Sequence, residues 1–230
     1  SGEEDWHQTR RTVSGEPLVS IVIPTGGTSG VVRGESRVMV VDAVRSVVER
    51  STYCNVEFVI VTDSWVTEDV LSSLRRLAGD RLRLVPWVHP FSFSGKMNLG
   101  VLHARGEYIL FLNDDVEVIS ADWIEAMLSL AQRPDSATVG AMLYFENDTI
   151  QHAGHAYYRL DVTHIGLHSE RGSRGPGNAF LIEREVEGNT AACMMVRRDR
   201  FLEVGGFSPL LPGNFNDVDL CLKLATRGYR

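Results

Sequence analysis

The chain has 230 residues, 43% of them apolar and 23% charged, which is long enough for one sizeable core and describes an ordinary globular protein. Its net charge of −7 argues against a nucleic-acid or anionic-membrane surface, since phosphate contacts need clustered Lys and Arg and only isolated pairs such as Arg75-Arg76 occur. The three cysteines, Cys54, Cys193 and Cys221, lie far apart in apolar surroundings and read as buried, reduced thiols rather than a zinc site.

No stretch approaches the roughly 20 apolar residues that span a bilayer. The chain opens with Ser1 and stops at Gly228-Tyr229-Arg230, directly after a helical pattern. It is therefore expected to be part of a longer protein, with residues 1–16 a tail or linker.

Leu18 to Ile23 is a β-branched apolar run stopped by Pro24, expected as a buried strand. A Gly-rich loop, Gly26 to Gly34, follows, and Ser36 offers an N-cap for a helix with Val40, Val41, Val44, Val47 and Val48 on one face. Val56 to Val61 reads as a second buried strand ending at Thr62-Asp63. An amphipathic helix (Val70, Leu71, Leu74, Leu77) leads to a short strand, Arg81 to Val85. Then come a helix around Met97 to Ala104, a strand Tyr108 to Leu112, and a helix Ser120 to Gln132. Strands alternating with helices predict an open, mostly parallel α/β sheet with helices on both faces. Ligands of such sheets bind beyond the carboxyl ends of the strands, which selects Pro24-Thr25, Asp63 and Asn113-Asp114-Asp115.

After Tyr144 the alternation weakens. Gly166 to Gly177 reads as a loop, Glu187 to Val196 as a strand with small residues at its centre, and Asn216 to Thr226 as a last helix.

The strongest local signal is the apolar strand that delivers Asn113-Asp114-Asp115. Adjacent carboxylates repel, and a cation between them relieves that repulsion. Mg²⁺ or Mn²⁺ suits one or two protein carboxylates plus water and phosphate oxygens. A solvated turn, with Asp114 or Asp115 capping the next helix, is the other reading. Asp217 and Asp219 fall in the first turn of the last helix, with Asn216 as its cap. The helix dipole favours acids there by about 0.3–1 kcal/mol, and an ionised carboxylate beside an acceptor hydroxyl is a general base. Asp63 is read either as a cap for the helix near Thr67 or as an acceptor for a nucleobase or ribose. His152 with His155, and His164 with His168, have ligand-like spacing outside a His-Glu-x-x-His pattern and read as loop or core histidines, the other reading being that one of them touches metal or phosphate.

In order, Pro17 to Thr25, Phe91 to Gly100, Gly106 to Val118 and Asp122-Trp123 are followed by Ile150-Gln151-His152-Ala153-Gly154, Thr190 to Arg198, Gly205-Gly206-Phe207 and Asn216 to Leu222. This series, covering essentially residues 17–230, resembles glycosyltransferase family 2, the inverting enzymes of the GT-A fold, and in particular its rhamnosyl/O-antigen-type members. The resemblance implies a single Rossmann-like GT-A domain over 17–230, incomplete at its C-terminus. It implies transfer of a sugar from a UDP- or dTDP-sugar to a saccharide or lipid-linked acceptor hydroxyl in bacterial cell-surface polysaccharide synthesis, in the cytoplasm or at the inner face of the membrane.

The implied roles follow position by position. Thr25, Asp63 and Asn98 join the nucleotide and donor contacts. Asp115 is the metal ligand for Mn²⁺ or Mg²⁺, Asp114 lies near ribose or diphosphate, and Asn113 supports them. Thr190 and Ala191 line the donor sugar. Asp217 is the base, with Asn216 and Asp219 supporting, although Asp217 and Asp219 can exchange roles. Trp65 stands where relatives commonly carry a small residue, and relatives continue past Gly-Tyr-Arg into a His-bearing segment that can complete the metal site. Two rival readings compete with this one. A sugar nucleotidyltransferase would grip a triphosphate with an Arg/Lys-bearing Gly-rich loop, where this chain has only Arg33; the other is a non-catalytic nucleotide-sugar-binding module.

Overall fold

The computed structural model describes residues 11–159 and 161–230. In chain order the elements are β1 (Val19–Thr25), β2 (Ser29–Val32), β3 (Glu35–Val38), α1 (Met39–Arg50), β4 (Val56–Asp63), α2 (Glu68–Ala78), β5 (Leu82–Trp87), α3 (Phe93–His103), β6 (Tyr108–Leu112) and α4 (Trp123–Ala131). They continue with β7 (Val139–Gly140), β8 (Leu143–Tyr144), β9 (Ile150–His152), β10 (His155–Tyr158), β11 (Asp161–His164), β12 (Cys193–Arg197), α5 (Arg198–Glu203) and α6 (Asn216–Thr226).

Six strands form the central sheet in the order β5-β4-β1-β6-β12-β7. The first four run parallel, as the alternation of strands and helices predicts. β12 runs antiparallel to both of its neighbours, and its first residue, Cys193, stands opposite Leu112, the last residue of β6.

Alternation along the strands divides the core between the two faces. Ile21, Ile23, Phe58, Ile60, Leu110 and Leu112 pack with α1, α2 and α4. Val22, Val59, Val61, Ile109 and Phe111 pack with α3, Phe201, Phe207 and α6. Strands buried on both faces explain the near-continuous apolar runs of β1, β4 and β6.

Several local expectations are corrected. β1 runs through Pro24 to Thr25; pairing with β6 stops at Val22, so Pro24 sits where β1 has a ladder partner only in β4. The Gly26–Gly34 segment is not all loop, because Ser29–Val32 pairs with Glu35–Val38 as a hairpin turned at Arg33-Gly34, both at positive φ. Ser36 therefore lies in a strand, and α1 starts after Val38 with no side-chain cap. Helix α3 begins at Phe93, earlier than the periodicity indicates, because the Ser92 hydroxyl accepts the Gly95 N–H at 3.0 Å. Helix α4 is shorter than predicted, Trp123–Ala131. The Glu187–Val196 strand shrinks to Cys193–Arg197, since Thr190–Ala192 enters it through a turn. Asn216 is the first helical residue of α6, whose N-cap is Phe215 in the left-handed region at φ 59°.

Cys193 and Cys221 are buried as expected, but Cys54 is exposed, in the irregular approach to β4. Of the N-terminal tail, residues 1–10 lie outside the described residues; Ser14 exchanges two backbone hydrogen bonds with the Gln132 amide, both 2.8 Å. Among the described residues no helix is long and apolar enough to cross a membrane.

Candidate active site

Because β4, β1 and β6 are adjacent and parallel, their carboxyl ends bring Asp63, Thr25 and Asn113-Asp114-Asp115 to one edge of the sheet. The Thr25 hydroxyl donates to Asp114 Oδ2 at 2.6 Å and accepts the Gly27 N–H at 2.9 Å, so β1 and β6 are tied at the mouth. Burial raises the Asp114 carboxyl above the usual carboxylate range; the Thr25 bond opposes this and the Asp115 charge adds to it. Asp115 is exposed. Neither aspartate caps α4, which starts only at Trp123 behind Asp122.

Asp63 does not cap α2 either. Its Oδ2 accepts from Lys96 Nζ at 2.7 Å, both side chains being almost wholly buried, and the same ammonium reaches the Thr25 carbonyl at 3.4 Å. Lys96 is the site residue that sequence reasoning passed over. It stands in the quoted Phe91–Gly100 block, and the available signal was one lysine amid the apolar, helix-forming positions of α3. A β-carbon on Gly26 would lie 3.3 Å from Asp63 Oδ2 and 3.7 Å from the Trp65 indole nitrogen. Gly26, Asp63 and the exposed Trp65 ring thus lie side by side at the end of β1 and β4.

The remaining acids come from the far end of the chain. The Asn113 N–H donates to the Ala192 carbonyl at 2.9 Å, which fixes the turn before β12 beside the Asp114-Asp115 loop. One residue earlier, the Ala191 N–H donates to Asp217 Oδ2 at 3.2 Å, while Val218 N–H donates to Oδ1 at 2.9 Å. Asp217 and the Asn113–Asp115 loop therefore flank the same short segment, Thr190–Ala192. Asp219, one helical turn from its partner, is engaged by Lys223 Nζ at 2.9 Å. Asn216 is buried, and its amide nitrogen has no hydrogen-bond partner among the described residues.

Asn98 stands apart from this group. Its amide is used on both sides by the Phe207 backbone, donating to the carbonyl at 2.8 Å and accepting the N–H at 2.9 Å. The structure thus gives Asn98 the task of fixing the Gly205-Gly206-Phe207 turn against α3. A cavity of about 1230 Å³ lies elsewhere, between the 133–142, 180–189 and 221–230 segments, and contains none of the predicted site residues.

The donor set fits a hard divalent cation. Two adjacent carboxylates are available, one exposed and one whose ionisation is opposed by burial and by its neighbour, a repulsion that a cation would relieve.

A parallel α/β sheet carrying paired carboxylates at its mouth, completed by an antiparallel strand and a helix bearing a further acid, defines a glycosyltransferase domain of the GT-A fold. The model of glycosyl transferase family 2 matches residues 20–205, and the chain belongs to that family. It is 35% identical over 224 residues to the uncharacterized protein y4gI of Sinorhizobium fredii, a match taking in 94% of this chain and 23% of that protein. It is 30% identical over 234 residues to the O-antigen biosynthesis protein RfbC of Myxococcus xanthus, covering 97% of this chain and 17% of that one. The chain thus spans less than a quarter of either relative. In structure it is similar to the mannosyltransferase PcManGT from Pyrobaculum calidifontis in complex with GDP-Man and Mn²⁺ (TM-score 0.62, 16% identity, 99% of this chain and 57% of that one). It is also similar to GalNAc-T7 with UDP, GalNAc and Mn²⁺ (TM-score 0.68, 14% identity, 90% and 40%).

Proposed function

We propose that this domain carries out metal-dependent, inverting transfer of a sugar from a UDP- or dTDP-sugar to a hydroxyl of a saccharide or lipid-linked acceptor, as a step in cell-surface polysaccharide synthesis on the cytoplasmic side of the membrane. The observation that carries the reading is the shared segment Thr190–Ala192, bonded to the Asn113–Asp115 loop on one side and to Asp217 on the other. Donor and base then meet across three residues.

Asp115, with Asp114 beside it, would hold Mn²⁺ or Mg²⁺, which when bound neutralises charge on a departing diphosphate. Thr25 and Asp63 hold the nucleoside, and the exposed Trp65 ring beside Gly26 offers a face for the base. Thr190 and Ala191 lie against the donor sugar. Asp217 accepts the acceptor's hydroxyl proton as that oxygen attacks the anomeric carbon; its two backbone N–H bonds hold the carboxylate in place. Asp219, paired with Lys223, orients the first turn of α6. The neighbours' ligands support a nucleotide-sugar and Mn²⁺ without choosing the nucleotide, since one holds GDP-Man and the other UDP.

Calorimetry with a panel of UDP-, dTDP- and GDP-sugars should detect binding that requires Mn²⁺ or Mg²⁺ and falls at least ~100-fold in Asp115→Ala, the order expected on loss of a metal ligand. Equal, metal-independent binding by both proteins would exclude the assignment. With the bound sugar identified, Asp217→Asn should retain donor affinity and abolish transfer in the full-length protein. Undiminished transfer would move the base to another residue.

A further inference from the structure

Beside the Thr190 turn, three imidazoles converge. His152 is the last residue of β9, His155 the first of β10 and His164 the last of β11. Gly154, at φ 106°, turns the chain between the first two, and the register of β10 with β11 sets His155 directly opposite His164. The three ring centroids are each 4.9 Å from the other two, with interplanar angles of 77°, 80° and 83°. One nitrogen from each ring lies within 4.8 Å of the others, and among the described residues this is the sole group of three or more His, Cys, Asp or Glu side chains so placed.

A purely structural cluster would satisfy its buried nitrogens with hydrogen bonds. This one does so only in part. His152 Nε2 accepts the Thr190 N–H at 3.2 Å, so its proton sits on Nδ1, shared with His164 Nδ1 at 2.8 Å. His155 Nδ1 is buried with no partner among the described residues. Three edge-to-face rings, one carrying a buried nitrogen without a hydrogen-bond partner among the described residues, make a poor core and a ready ligand set.

We infer that His152, His155 and His164 form a second metal site, for Zn²⁺, distinct from the Asp114-Asp115 position. Three neutral nitrogens with neither carboxylate nor thiolate favour a borderline ion over Mg²⁺ or Mn²⁺. At Zn–N lengths of about 2.0–2.1 Å, ligands of a tetrahedral ion stand about 3.3 Å apart, within the range the three nitrogens already occupy. Neutral imidazole is the form that binds metal. Ligation through His152 Nδ1 puts the ring proton on Nε2, so that nitrogen turns from acceptor to donor and its bond to the Thr190 N–H is exchanged for the metal bond.

The ion would clip together strands that hold poorly alone. β8 and β9 share two paired positions, and β10 and β11 form a two-stranded ribbon of four pairs, joined through His155 to Gly188 by a single bridge.

The test uses the untagged 230-residue chain, stripped with chelator. Calorimetry with Zn²⁺ should give one tight site, and Co²⁺ substitution should give the visible d–d bands of a four- or five-coordinate nitrogen site. His164→Ala, the variant at the least buried ring, should bind at least 100-fold more weakly while its metal-free melting temperature stays near that of the metal-free wild type. Asp115→Ala should keep the site. Stripped wild type that takes up no stoichiometric Zn²⁺, or His164→Ala that binds as tightly as wild type, overturns the inference. Should His164→Ala fail to fold, the Co²⁺ spectrum of the wild type decides: an octahedral, aquo-like spectrum refutes a three-histidine site.

Discussion

The ion pair between Lys96 and Asp63 gives the most direct test of how the mouth of the sheet is held. The side chains are 2% and 5% exposed and meet at 2.7 Å, so Lys96→Met would leave the Asp63 carboxylate buried without its counter-charge. Breaking one side of such a pair costs about 3–5 kcal/mol, far more than the pair is worth against two neutral residues, because the orphaned charge has lost its water. Against a total of about 5–15 kcal/mol for a domain, that is a large fraction. At about 2–4 °C per kcal/mol for a chain of this length, the Tm should fall on the order of 6–20 °C. Adding Asp63→Asn removes the stranded charge, so the double variant should melt higher than Lys96→Met alone. Thermal and urea melts of the four members of the cycle measure this directly. A loss under about 1 kcal/mol for Lys96→Met, or a double variant as unstable as the sum of the singles, would show that water reaches Asp63 and that the pair does not hold β4, β1 and α3 together.

Acid should act through Glu57, whose side chain is 3% exposed. Burial alone would push this carboxyl up, but the Ser20 hydroxyl, at 2.6 Å, and the Arg105 N–H and Nε, at 2.6 and 2.8 Å, hold it below the usual glutamate range. A depressed folded-state value stabilises above the unfolded value, about pH 4.3, and that contribution disappears as pH falls through the folded one. Ser20→Ala should therefore lower the urea midpoint at pH 7 and make its decline below about pH 5 shallower; an unchanged slope would remove Glu57 from the account. Thiol chemistry should separate the cysteines: burial drives Cys193 up to about 12 and Cys221 up to about 11, whereas Cys54 is exposed. A disulfide exchange reagent should titrate one thiol quickly in the native protein, and Cys54→Ser should abolish that phase. Two fast thiols would mean that the face of the sheet around β12 opens.

What the sequence disclosed follows from how the signals are carried. β1, β4 and β6 are apolar on both faces, so their runs were legible as buried strands, and the rule of carboxyl ends then pointed to Thr25, Asp63 and Asn113–Asp115 together. Whatever depended on one side chain choosing among partners was not legible. Asp63 had a plausible helix to cap at Thr67 and instead turned to Lys96, a contact between residues more than thirty positions apart. Asn98 sits in the same block as Lys96 and shares its helix, yet it faces the Phe207 turn, because two residues along a helix amount to about 200° of rotation and so point to opposite sides. The β2–β3 hairpin escaped because Gly-rich composition marks a turn without marking the strands beside it, and here Arg37, bonded to Glu117 at 2.8 Å, pins the hairpin to the loop after β6. The histidines were read in pairs by spacing. Their true grouping omits His168 and joins His164 across a strand register that no spacing encodes.

The reversal of β12 does more for the site than any single residue. A parallel strand beside β6 would begin at the opposite edge of the sheet, and the residues leading into it would lie far from Asp114 and Asp115. Because β12 is antiparallel, Cys193 stands against Leu112, and the turn that enters it, Thr190–Ala192, has no other place to lie than the carboxyl edge. Once that turn is fixed there by the Asn113 N–H, its next free amide, Ala191, faces outward and captures Asp217 from a helix that begins more than a hundred residues after the paired acids. Acids from three distant parts of the chain are thereby gathered without any of them touching. Asp217 is held by backbone amides, Asp114 by Thr25 and Asp63 by Lys96, so the proposed donor and acceptor would meet three anchored carboxylates.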